Sequence, residues 1–167
     1  ISAVVINGNG KTLTYTGSSA SARAIDCSDN NVNVAISNLN IVCTASYCQR
    51  GINFNNAGTL TLSNVKVSGT NVTYALNLPG SSDNCKVEIN NSQLTANIAL
   101  NVWGENTVIN VNNSILTSVD QNTTEGYDAV KLNNDGATSA ENSIINIVGG
   151  KVIALDENGN PSTATEN

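Results

Sequence analysis

The chain has no histidine and no methionine, and only one Phe and one Trp among its 167 residues. Without His the commonest general base is missing. Most zinc sites and every Ser-His-Asp or Cys-His nucleophile go with it. With aromatics at 4%, the core must be built from Val, Ile, Leu and Ala. Basic residues are also scarce: seven Lys and Arg against 13 Asp and Glu leave a net charge of −6. A nucleic-acid partner needs clustered cations to neutralise phosphates. Here they are scattered, which speaks against nucleic acid and against anionic membrane surfaces. No apolar run approaches the roughly 20 residues of a membrane-spanning helix, so no membrane insertion is expected. There is no signal-peptide pattern and the first residue is Ile, which reads as a processed piece of a longer, exported protein.

What the chain does have is Asn, 30 of them, with many Ser and Thr. Asn and Gly favour tight turns and left-handed backbone, while β-branched residues favour strands. The stretch "TLTLSNVKVSG", Thr59 to Gly69, alternates like a strand, meets an Asn, and resumes the alternation. Related stretches are "VNVAISNLNIV", "CKVEINNSQL", "TVINVNNSIL" and "SIINIVGGKVI". Short anchors recur as well, beginning at Ala24, Gly51, Ala75, Ala99 and Ala129, at spacings of 27, 24, 24 and 30. "VVIN" and "KTLTYTG" look like an incomplete first turn.

A fixed period of this length indicates a repeat architecture. Strands of about four residues cannot bury a face alone. Stacked about 4.8 Å apart, they satisfy one another's hydrogen bonds and bury a continuous core. Three inward columns are readable: Ile25, Ile52, Leu76, Leu100, Val130; Ile36, Leu62, Ile89, Val111, Ile147; and Ile41, Val67, Leu94, Leu116, Val152. The alternating positions Asp26, Asn53, Asn77, Asn101 and Lys131, and Ser37, Ser63, Asn90 and Asn112, are expected to face outward. Asn38, Asn64, Asn91 and Asn113 fall together at a bend, with Gly149 in the fifth slot. Left-handed geometry suits Asn at low cost, and stacked amides can bond along the column.

These repeats and "S-N-L-x-I"-like bends resemble right-handed parallel β-helices of the pectate-lyase-like class over roughly residues 4 to 155. The fold expected is all-β: one right-handed parallel β-helix of about six turns, with three short strands per turn and an Asn ladder at one bend. The β-helix is expected over 1–155, with a polar tail or linker over 156–167. Such a scaffold carries lyases, hydrolases, adhesins and spikes alike, so function has to come from the site. The likeness is closest to non-catalytic adhesive modules of bacterial surface proteins. An end of such a stack exposes unpaired strand groups, to be covered by residues 1–10 or by a neighbour. Oligomerisation therefore stays open.

The polygalacturonases of this class share a His-containing signature, which this chain cannot supply. Glycosidases use two carboxylates about 5–10 Å apart, and on the first outward column only Asp26 is acidic. Lyases resembling this fold need clustered acids for calcium and a basic proton acceptor. Lys131 and Arg50 are nominal bases without such a cluster. "NNDG" (Asn133 to Gly136) and "DENGN" (Asp156 to Asn160) offer oxygens but read as plain turns, and "NGNG" at Asn7 is a turn as well. No catalytic residue, metal or cofactor is therefore expected. Thr59 and Thr61 begin a threonine rank that Asn33, Ala35, Lys86 and Glu88 break, which disfavours an ice-binding face.

The ligand-binding candidates are Asn53, Asn77 and Asn101, with Tyr74, Trp103, Tyr127 and Lys131 at the margins: amides for sugar hydroxyls and rings for sugar faces. Cys43 and Cys48 flank an insertion and form a plausible disulfide. Cys27 and Cys85 read as small buried hydrophobes. The function expected is a non-catalytic adhesive or glycan-binding module of an extracellular or cell-surface protein, its partner a polysaccharide or a host glycan or protein. A pectate-lyase-like polysaccharide-degrading enzyme and a structural spacer or trimeric spike subunit are the alternatives.

Overall fold

A computed structural model describes residues 3–17, 19, 21–28, 31–44, 47–119, 128–134, 139–156 and 158–160. Among these, all regular elements are strands: β1 (Ala3–Tyr15), β2 (Arg23–Cys27), β3 (Asn33–Cys43), β4 (Cys48–Phe54), β5 (Thr59–Gly69), β6 (Val72–Leu78), β7 (Lys86–Asn90), β8 (Gln93–Ala96), β9 (Ile98–Val102), β10 (Val108–Val119), β11 (Val130–Leu132) and β12 (Ile144–Leu155). They form two parallel sheets. The larger runs β1-β3-β5-β7-β10-β12, with β8 beside β5 and β10; the smaller runs β11-β9-β6-β4-β2. From β1 to β6 the chain alternates between the two sheets, one strand in each.

The register follows the expected columns. Ile25, Ile52, Leu76, Leu100 and Val130 are successive partners in the smaller sheet. In the larger sheet Ile36, Leu62, Ile89, Val111 and Ile147 pair rung by rung, as do Ile41, Val67, Leu94, Leu116 and Val152. Inner members such as Leu62, Ile89, Leu94 and Leu100 are fully buried. A one-residue slip would turn each apolar set to the opposite face, so the buried columns themselves hold the register. At the outermost strands the core runs out: Val5 and Val4 in β1, and Ile144, Val148 and Val152 in β12, are exposed.

Three expectations need correction. The second and third short strands are one strand in β3, β5, β10 and β12, and are separate only as β7 and β8. The bend residues do adopt left-handed backbone, with φ of 51° at Asn38, 55° at Asn64, 50° at Asn91, 48° at Asn113 and 71° at Gly149. Yet pairing resumes at once, Ser37 with Ser63 and then Leu39 with Val65, so a single left-handed residue bends the ladder without ending it. Next, "NGNG" lies inside β1 as a register shift between Asn7 and Lys11, with Asn9 and Gly10 at positive φ. Residues 3–10 are thus part of a rung, hydrogen-bonded to β3, and do not form a cap across the end.

Core composition changes along one column. Leu39 and Val65 are followed by the buried Ser92 and Ser114. Ser92 Oγ accepts the Val65 backbone N–H at 3.0 Å, and Ser114 Oγ accepts that of Ser92 at 3.0 Å. A buried donor left unpaired costs about 1–3 kcal/mol, and hydroxyls here supply the missing acceptors where β7 stops and β8 begins.

Candidate functional site

The expected glycan-facing amides are not on a solvent face. Asn53, Asn77 and Asn101 are 3%, 2% and 1% exposed, between the equally buried pairs Ile52 and Phe54, Leu76 and Leu78, and Leu100 and Val102. Their amides form a ladder. Asn53 Nδ2 donates to Asp26 Oδ1 (2.7 Å), Asn77 to Asn53 (2.8 Å), Asn101 to Asn77 (2.7 Å) and Asn133 to Asn101 (2.8 Å). All four donors point the same way along the stack, towards the Asp26 carboxylate. Side chains whose groups are used by their neighbours can be buried at little cost, which is why alternation alone misplaces them. The bend column is bonded for part of its length: Asn64 to Asn38 at 2.9 Å and Asn38 to Asn7 at 3.3 Å.

The other candidates are dispersed. Tyr74 pairs with Ile98 at the head of its rung, whereas Trp103 lies five residues past Ile98, about 16 Å along the strand direction. Lys131 pairs with Asn101 in the row that begins at Asp26, four rungs or roughly 19 Å from it. Tyr127 lies outside the described residues.

What the structure does assemble is a charged and aromatic cluster at the edge of the smaller sheet. Arg23, Arg50 and Tyr74 are register partners on successive rungs. Arg23 Nη1 binds Asp26 Oδ2 at 3.2 Å, and Asp26 Oδ1 also accepts Ser28 Oγ at 2.8 Å. Burial opposes the Asp26 charge, but hydrogen bonds from Asn53 and Ser28 and the Arg23 and Arg50 charges more than offset it. Its carboxyl therefore titrates below the ordinary value. Arg50 is half-buried and, among the described residues, has no carboxylate within ion-pair distance. Its Nε is buried without a hydrogen-bond partner. Burial, then the neighbouring Arg23, make its charge costlier, while Tyr74, Asp26 and Tyr47 act in the opposite sense.

Two residues before Arg50 stands Cys48, whose Sγ lies 3.0 Å from Cys43 Sγ. Both are fully buried, and the structure holds them as thiols. Their shared hydrogen bond eases proton loss at Cys48; the same bond, with burial, raises Cys43. Burial pushes Cys27 up to about 11 and Cys85 to about 12.

Beside Asp26, a cleft of ≈ 180 Å³ opens between the first rungs, lined by Ile6, Ile25, Cys27, Val32 and Val34 among others. Asp156 accepts the backbone N–H groups of Asn158 and Asn160 at 2.9 and 2.8 Å, a self-contained turn. No cluster of three or more Cys, Asp or Glu that could hold a metal occurs among the described residues.

The Arg50 cluster was only half visible in the sequence. Arg50 and Asp26 stood out as isolated charges, and Arg23 and Tyr74 share Arg50's place before an anchor; that Tyr47 comes close as well depends on the tertiary structure. A second column of left-handed Asn residues was missed altogether: Asn84, Asn106 and Asn142, at φ of 61°, 53° and 55°. Its signal was present as "DN", "EN" and "EN", each two residues before a strand. No protein family, curated protein or solved structure matches the chain.

Proposed function

We propose that the two sheets are the walls of a right-handed parallel β-helix of the pectate-lyase-like class, and that the chain serves as a non-catalytic adhesive or glycan-binding module of an exported surface protein. One observation supports the binding reading above the others: the half-buried Arg50 guanidinium, which lacks a carboxylate partner among the described residues and lies close to Tyr47 and Tyr74. A guanidinium that no carboxylate neutralises can hydrogen-bond ligand oxygens, and tyrosine rings cover sugar faces. The ligand surface accordingly moves from the buried Asn53, Asn77 and Asn101 to the edge where Arg23, Arg50 and Tyr74 stack.

A glycan array tests this, followed by a turnover assay on any hit. Retention without released product is expected, and Arg50→Gln should weaken it at least tenfold, about 1.4 kcal/mol, with the fold intact by circular dichroism. Released product would favour the polysaccharide-degrading alternative. Retention equal in Arg50→Gln and in the parent chain would remove this edge as the binding surface.

A further inference from the structure

The chain crosses from the larger sheet to the smaller between Cys43, the last residue of β3, and Cys48, the first of β4. Two of the other crossings are tighter, with two residues between β5 and β6 and one between β8 and β9, whereas seven separate β1 from β2 and ten separate β10 from β11. At Cys43 four residues intervene, the last of them Tyr47. Nevertheless the two sulfurs meet at 3.0 Å inside the core, roughly one ångström beyond a bonded S–S length of about 2.05 Å. On the neighbouring rung Cys43 pairs with Gly69, where a Cβ would collide with the Cys43 carbonyl oxygen. The backbone is therefore packed closely around this corner.

We propose that Cys43 and Cys48 are a covalent modification site: they close into a disulfide that fastens the end of β3 to the start of β4 and so positions Tyr47 and Arg50. The bond stands apart from the glycan reading; only its consequence for Arg50 touches it. The oxidant is a small-molecule or protein disulfide. Cys48, as thiolate, attacks one of its sulfurs and expels a thiolate. Cys43 then gives its proton to solvent, its sulfur attacks the Cys48 sulfur of the mixed disulfide, and the second thiolate leaves. The chain loses two electrons and two protons, and the oxidant takes both up as two thiols. Since both sulfurs are fully buried in the stacked form, the exchange takes place while the chain folds. Cys27 and Cys85 remain thiols, since they lie at separate places in the fold.

Refolding in a glutathione disulfide buffer should give a mass about 2 Da below the fully reduced chain, and subsequent alkylation in denaturant should label two cysteines. Chymotrypsin cuts after Tyr47, between the pair, so the two fragments should stay joined until reduced. Cys27→Ser should leave that link intact. Four labelled cysteines, or a link running to Cys27 or Cys85, overturns the proposal. Positioning has its own readout, because the chain has only two arginines. The Arg50 Nε–H resonance should shift between the oxidised protein and protein refolded under reductant, while that of Arg23 stays in place. An unmoved Arg50 resonance removes the positioning role and leaves the bond as a fastener. The reduced protein should melt roughly 5 °C lower.

Discussion

Two columns of asparagine run through this molecule, and they do different work. Asp26, Asn53, Asn77, Asn101 and Asn133 are joined by four side-chain bonds of 2.7–2.8 Å, with the three central amides buried. Asn38, Asn64, Asn91 and Asn113 share a left-handed backbone angle instead; Asn64 and Asn113 are exposed. In the first column the side chain matters, since each of the four amides donates to an oxygen one rung away. In the second the backbone is what matters, and Gly149 fills the last slot with no amide at all. The same residue type is thus selected once for its side chain and once for its tolerance of positive φ.

Substitution separates the two roles. Asn77→Ala should have the largest effect, about 3 kcal/mol in denaturant unfolding, because Asn53 Oδ1 and Asn101 Nδ2 lose their partner inside the core. If the loss were below about 1 kcal/mol, the ladder would be ornament on a core held by aliphatic columns. Asn64→Ala should cost about 1–2 kcal/mol through its φ of 55°, and Asn64→Gly should recover most of it. Equal losses in both variants would make the amide, rather than the angle, the requirement at the bend.

The smallest effect is expected at the head of the buried ladder. Asp26 has its carboxyl held below the ordinary 3.8 in the folded chain, so its contribution is complete above that pH. It fades as pH drops through the depressed native value. With a side chain 36% exposed, solvent screening limits it to about 0.5 kcal/mol. Asp26→Asn keeps an oxygen for Asn53 and should flatten this acid limb in unfolding curves taken from pH 5 to pH 2. An unchanged limb would shift the effect to other carboxylates.

Much of the architecture was legible because the signal repeats. Leu62 alone is an aliphatic residue between two polar ones. Leu62 in phase with Ile36, Ile89 and Val111 is a column, and the register pairs these residues rung by rung. The bend Asn residues were legible for the same reason. The site was much less so. Asn53, Asn77 and Asn101 alternate with aliphatics as surface residues do, and nothing in the alternation distinguishes a solvated amide from one paired above and below. Arg23, Arg50 and Tyr74 each stand one residue before an anchor, so their common row was readable, but nothing in the spacing tells that Tyr47 comes close to Arg50.

The sequence alone determined the period, the aliphatic columns and the left-handed bends, since each is a local preference copied from repeat to repeat: a pleat of period two, a branched side chain, a residue that accepts positive φ. Tertiary structure alone decided which polar row is buried and that Tyr47 comes close to Arg50. Burial and contact between rungs depend on how one strand is paired with the next, and that pairing is a property of the two sheets rather than of any single strand.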